Sequence, residues 1–201
     1  MGVKLSLLQQ MMRVMTCITL LLVVVTGSCA DLAGSELGPS ELISGFGLDN
    51  YAGSIRQVGT ANDANLFQEG PDHKGSVWQS GNGNKGSLVQ TGVNEFGIVA
   101  QRGQGNELSA SQSGSFNQLR AAQDGRGNFA ELTQTDSTNE IRLMQTGQGN
   151  LAYITQNGGG NVTKLEQRGS YNSAEIRQLV PSPNVILTQS GNGLFAKVIQ
   201  Y

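Results

Sequence analysis

Residues 145–156 read QTGQGNLAYITQ: a glutamine, a glycine two places on, an asparagine three beyond that, and a second glutamine eleven residues from the first. Followed in both directions, the eleven-residue step meets glutamine without a miss at Gln57, Gln68, Gln79, Gln90, Gln101, Gln112, Gln123, Gln134, Gln145, Gln156, Gln167, Gln178, Gln189 and Gln200. A fixed period is read before any local pattern, because it defines the architecture. Two residues before the glutamine every unit is apolar, from Ile55 and Leu66 to Leu187 and Val198. Four before it sits mostly Gly or Ala. Six before it Asn dominates, at Asn62, Asn84, Asn106, Asn117, Asn128, Asn139, Asn150, Asn161 and Asn172. Two after it most units carry Gly.

A spacing of two is strand spacing, since alternate side chains share a face. The Gly-x-x-Asn that follows reads as a corner, because Gly adopts positive φ without steric cost and Asn tolerates it better than most residues. A strand of roughly six residues plus a corner cannot bury its apolar face alone, whereas stacked units can. The pattern predicts an all-β chain: fourteen short strands, two per turn, forming a β-solenoid of about seven two-strand rungs. At about 4.8 Å per rung the stack is roughly 34 Å tall.

Parity says where each side chain points. The aliphatic slot, the small slot, the Asn and the Gln share one face and point inward. At Leu108-x-Ala110 and Leu119-x-Ala121 the large and small residues trade places. The swap keeps the summed volume, as a packed interior requires. Buried amides without partners cost a few kcal/mol each. The expected remedy is a ladder in which each amide bonds its copy one rung up and one rung down. The unpaired groups at the two ends of such a ladder are an open-edge hazard, which other solenoids cover with a polar cap. No cap is visible after Gln200, so the reading expects subunits to stack end to end by cross-β pairing.

Outside the array, residues 1–30 read as a signal peptide: Lys4 and Arg13, an apolar run from Val14 to Val25, then Ser28-Cys29-Ala30 with cleavage before Asp31. The run is too short to span a bilayer by itself. A membrane anchor and lipidation at Cys29 are the alternatives. Cleavage after Ala30 removes Cys17 and Cys29 and two positive charges, leaving eleven Lys and Arg against fifteen Asp and Glu, a net charge of −4. That mild acidity argues against a nucleic-acid partner, whose footprint is a basic surface. Residues 31–49 hold no period of 2 or 3.6 and form a separate non-repeat segment. The repeat fills 50–201. Its corners vary: His73 takes an Asn slot, and Pro183 another after Gln178. The corner glycine is lost there too, and because proline cannot donate to a ladder the last two strands are expected to pack as a looser rung.

Residues 22 apart stack on one another. One outward column alternates Asp63, Lys85 and Glu107; another aligns Arg120, Arg142 and Lys164, three like charges about 4.8 Å apart. Such a column costs stability. It reads either as a solubilising, gatekeeping face or as a docking strip for an acidic partner or anionic surface polymer. No catalytic, metal or cofactor site is expected. His73 is alone, ligand clusters are lacking, and the Gly-x-Gly runs at Gly81 and Gly103 open no helix that would bind an anion. A solenoid carbohydrase needs a pair of carboxylates on one face, and none is seen.

The unit Gln-x-Gly-x-x-Asn-x-Ala-x-x-x-Gln, as at Gln145 to Gln156, resembles the curlin repeat of bacterial curli fibres and covers about three quarters of the chain. The resemblance implies a secreted subunit, exported through the periplasm to the cell surface, that polymerises into extracellular amyloid supporting biofilm and adhesion. Asn in the inward slot of both kinds of strand, and Asp31-Leu32-Ala33-x-Ser35-Glu36, look like the minor, nucleating subunit rather than the major one. The implied partners are the chain itself, a major curlin subunit, and an outer-membrane export pore addressed by residues 31–49. Seven double-strand repeats, where members commonly have about five, depart from the family pattern. The alternatives are a major fibre subunit or a monomeric glycan- or ice-binding β-solenoid.

Overall fold

In a computed structural model, which describes residues 21–26, 52–181 and 184–201, the chain is all strand. One sheet contains β1 (Leu21–Thr26), β3 (Asp63–Glu69), β5 (Lys85–Val93), β7 (Glu107–Ser115), β9 (Phe129–Ser137), β11 (Leu151–Gln156), β13 (Ser173–Gln178) and β15 (Phe195–Gln200), in that order. The other runs from β2 (Ala52–Thr60) through β4 (Lys74–Asn82), β6 (Phe96–Gln104), β8 (Gln118–Arg126), β10 (Glu140–Gln148) and β12 (Val162–Ser170) to β14 (Val185–Asn192). We call them the odd and the even sheet. From β2 onward consecutive strands alternate between sheets, and each pairs in parallel with the strand two further on. The result is a parallel β-solenoid of seven turns.

Register is exact at 22 residues. Gln101 pairs with Gln79 and Gln123, and Arg142 pairs with Arg120 and Lys164. A slip of one residue would turn every aliphatic side chain outward, so the alternation alone specifies the register. The core is a file of buried aliphatics between the sheets, among them Leu66, Val77, Leu88, Val99, Leu132, Ile154, Leu165 and Ile176. Leu108, Ala110, Leu119 and Ala121 are all buried, so the exchange of large for small is made inside the core.

Strand length departs from expectation. Most strands run nine residues rather than six and continue past the glutamine to its third successor. The arc after the glutamine pairs in parallel with its copy one rung away, Gly103 with Gly125 and Gln104 with Arg126. Only two residues are left for most corners. The φ requirement is also more specific. The glycine two after the glutamine sits at φ between +91° and +132°. The residue four after it is left-handed, as at Ala61, Asn94, Phe116 and Tyr171, with φ of 53–59°. The Asn of the corner follows that residue and is not itself in the left-handed region, so it owes its place to hydrogen bonding.

The end rungs are less buried than the middle ones. Ile55, Leu187 and Val198 are only partly covered, which follows from having a neighbour on one side. Pro183, the expected cause of a looser last rung, lies outside the described residues. So do the leader and the segment 31–49, except for Leu21–Thr26, which pairs antiparallel with the outer edge of β3.

Candidate functional site: the buried amide ladders

Two glutamine ladders run the length of the solenoid. In the even sheet Gln57, Gln79, Gln101, Gln123, Gln145 and Gln167 each donate from Nε2 to Oε1 of the next, ending at Gln189, at 2.8–2.9 Å. In the odd sheet Gln68, Gln90, Gln112, Gln134, Gln156 and Gln178 do the same, ending at Gln200, at 2.8–3.0 Å. Gln57 and Gln200 are half-buried and the other twelve are buried. From Gln79 to Gln167 the second Nε2 hydrogen crosses to the other sheet. Gln101 donates to the carbonyl of Lys85 at 2.8 Å, and Gln123 to that of Glu107 at 2.9 Å. Each such amide therefore ties rung to rung and sheet to sheet. Filling donors and acceptor together is what makes burial of an amide affordable.

The small slot makes room for this. A Cβ on Gly86 would lie 2.9 Å from Oε1 of Gln101 and 3.0 Å from Nε2 of Gln79. In β12 the same slot holds buried Thr163, whose hydroxyl accepts from Gln156 at 3.2 Å and donates to Gln178 at 2.7 Å, bracing the opposite ladder. Nothing in the repeat consensus pointed to Thr163.

The asparagines form a second pair of columns with the opposite sense. In one, Asn84, Asn106, Asn128, Asn150 and Asn172 each donate both backbone N–H and Nδ2 to Oδ1 of the preceding Asn, beginning at Asn62, at 3.0–3.1 Å. Nδ2 also donates to the corner carbonyl of the next turn, Asn84 to Gly103 at 3.0 Å. In the other column Asn139 bonds Asn117 in the same way, and the backbone N–H of Asn161 bonds Asn139. The glutamine-to-glutamine bonds are donated toward the last rung and the asparagine-to-asparagine bonds toward the first. The two sets of dipoles thus oppose one another along the axis.

The second asparagine column starts with substitutes. His73 is fully buried; its Nε2 lies 2.9 Å from the Glu69 carbonyl, and its Nδ1 accepts the Glu95 N–H at 3.2 Å. With Nε2 protonated, the imidazole imitates the carboxamide, with Nδ1 as the oxygen and Nε2–H as the amide donor. Glu95, which the sequence reading missed, fills the next slot and is 1% exposed. Its carboxylate accepts Asn117 N–H and Nδ2, both at 3.1 Å. Its position six before Gln101 was the available signal.

Burial pushes the Glu95 carboxyl up from 4.5 to about 7, against the pull of the two Asn117 bonds. A folded pKa above the unfolded one means that the folded chain holds the proton more tightly. The contribution is fully present below about 4.5 and is lost as pH rises through about 7. At 1.36 kcal/mol per pKa unit the loss amounts to about 3 kcal/mol. We expect Glu95→Gln, which supplies a neutral acceptor, to stabilise the chain by about that amount at pH 8 and to change little at pH 4. Urea midpoints of the two chains across this range check it.

On the outward faces, Arg120, Arg142 and Lys164 stand in register on β8, β10 and β12. Arg142 pairs with Glu140 at 2.5 Å, and Arg120 lies over the Phe96 ring at 4.7 Å. Glu166 pairs with Arg168 and not with the strip. Asp63, Lys85 and Glu107 are likewise in register, on the odd sheet. Thr133 and Thr155 stack, but Arg177 follows them, so the flat threonine array that ice binding needs is limited to two rungs.

A parallel two-sheet solenoid, threaded by amide ladders that repeat every turn, belongs to the class of β-solenoid repeat proteins. The Curlin associated repeat is matched at residues 59–92 and 138–167. These matches support the curlin family for this chain. That family consists of secreted structural subunits of extracellular curli fibres rather than enzymes, and its repeat suggests a curli-type amyloid subunit here. No curated protein and no solved structure is significantly similar to the chain.

Proposed function

We propose that this chain is the minor, nucleating subunit of a curli-type fibre, which templates the major subunit at the cell surface in support of biofilm and adhesion. The observation that carries the templating role is at the first rung of the odd sheet. Gln68 is 1% exposed, yet its Oε1 has no hydrogen-bond partner among the described residues. Every later glutamine of that ladder receives a donor from the rung before it. The register of β1 sets Leu21, and no glutamine, opposite Gln68. A second subunit stacked head to tail continues both ladders at the same 22-residue step, Gln200 onto Gln68 and Gln189 onto Gln57, with Gln189 exchanging its Nε2 bond to the Leu194 carbonyl at 3.2 Å for the new one. The geometry favours this order over a reversed one, because the ladders are polar and two acceptor ends cannot pair.

Residues 1–30 are, in this reading, a leader removed on export, and residues 31–49 address the outer-membrane pore. Loss of the leader takes β1 from the β3 edge and opens it to an incoming strand. Asn in both inward columns, rather than in one, supports the minor over the major role, because it leaves an amide to be matched on either sheet.

The leader-free chain, diluted from denaturant, is expected to form thioflavin-positive fibres. At sub-stoichiometric amounts it should also shorten the lag phase of a major curlin subunit. Fibres without any effect on that lag assign the chain as a major subunit; a persistently monomeric product in both assays removes the fibre reading altogether.

A further inference from the structure

The two broad faces of the solenoid carry opposite charge. Strands of the even sheet hold eight Lys or Arg against three Asp or Glu, a net charge of +5. Strands of the odd sheet hold three Lys or Arg against six Asp or Glu, a net charge of −3. Two of the three anions on the even face, Glu140 and Glu166, are already engaged by Arg142 and Arg168. End-to-end stacking leaves both faces open along the whole filament.

We propose that the even face of one molecule docks on the odd face of a second copy, so that filaments associate side by side. This rests on the fibre reading above. The match can be placed residue by residue. The slot three before the glutamine holds Arg120, Arg142 and Lys164 on successive rungs of the even sheet. On the odd sheet the same slot holds Glu131, Tyr153 and Glu175 on successive rungs. Both columns lie on one lattice of about 4.8 Å. In parallel filaments two carboxylates two rungs apart therefore face two cations two rungs apart, and the tyrosine ring meets the guanidinium between them.

Arg120 and Lys164 have no carboxylate partner among the described residues, and neither has Glu131 a cation; Glu175 already bonds Lys197 at 2.8 Å. Tyr153 is 40% exposed on the outward face, its ring 5.8 Å from that of Phe129 one rung before. An open groove of about 470 Å3 runs beside the cationic column to receive it. Cation–π contact over Arg142 adds to the ion pairs. Because one face meets a different face, the contact does not close into a dimer but continues into ribbons.

The test separates growth from bundling. Thioflavin kinetics read elongation, and electron microscopy reads filament width. Wild-type filaments are expected to bundle at low salt and to separate at high salt, where exposed charges are screened. Arg120→Glu with Lys164→Glu should give single filaments that elongate at the wild-type rate; the column then alternates in sign around Arg142, which offsets the loss of the Arg120–Phe96 contact. Adding Glu131→Lys and Glu175→Lys to the same chain should restore the bundles. Bundles that persist in the double variant, or that fail to return in the quadruple one, overturn the proposal. So do wild-type filaments that stay single until polyglutamate is added, since the occupant is then a soluble polyanion. If no filament forms at all, the fibre reading fails on its own. Sedimentation of the soluble chain then decides the docking: salt-sensitive association abolished by the double variant upholds it, and a monomer throughout overturns it.

Discussion

Gln123→Leu is expected to destabilise the solenoid by about 3 kcal/mol, although leucine fills a similar volume and is more apolar. Gln123 sits in the middle of the even ladder and makes three bonds there. It accepts from Gln101 at 2.8 Å, donates to Gln145 at 2.9 Å, and donates to the Glu107 carbonyl at 2.9 Å. Leucine leaves a donor, an acceptor and a carbonyl unpaired in a buried site, at about 1–3 kcal/mol each. The gain from burying an aliphatic in place of an amide, about 2 kcal/mol, offsets part of that loss. Gln57→Leu is the control. Gln57 is half-buried on the first rung, and its ladder bond goes to Gln79 alone, so the cost there should stay within about 1 kcal/mol. Urea midpoints of the soluble chains, followed by circular dichroism, check the pair. Equal midpoints for the wild type and Gln123→Leu would remove the ladder from the account of stability.

Gly103→Ala should be at least as damaging, at more than about 3 kcal/mol, for a reason of backbone geometry. Gly103 has φ +109°, and a Cβ there would lie 2.0 Å from the carbonyl oxygen of Gly125 on the next rung. That oxygen also accepts from Nδ2 of Asn106 at 3.1 Å. Neither backbone can move without breaking the parallel pairing of β6 with β8. Gly105→Ala, two residues on, is the contrast. Its φ is +62°, nothing lies within 4 Å of the added Cβ, and Ala61 already occupies the equivalent place. Its cost is that of one left-handed alanine, about 1 kcal/mol. Thermal unfolding of the two variants separates a glycine required by contact from one preferred by φ.

Much of this was open to sequence reasoning because the repeat has no exceptions at its key position. The step of eleven, the parity of Ile55 to Val198 and the swap at Leu108 and Leu119 are enough to infer strands, faces and a 22-residue register. The inward Gln and Asn follow from the same parity. The unit boundary was harder to read. The sequence suggested strands of six, whereas most run nine, because the residues after each glutamine look like turn formers one unit at a time and become strand only when their copies pair. The corner glycine was likewise credited with conformational freedom alone, when its decisive property is the carbonyl 2.0 Å from where its Cβ would be. Glu95 was missed because a carboxyl in a carboxamide slot is explained only by what surrounds it.

The period and the alternation of polarity are local, chemical facts about the chain. They determined by themselves that it is a β-solenoid with its amides inside, since no other arrangement buries a repeated Gln-x-aliphatic pattern with partners for every amide. Tertiary structure alone decided the rest. It set the opposed senses of the glutamine and asparagine ladders, the crossing bonds from each glutamine to the other sheet, the buried states of His73 and Glu95, and the unmatched Oε1 of Gln68. Each of these depends on distances between atoms 16 to 22 residues apart, and such distances exist only once the rungs have stacked.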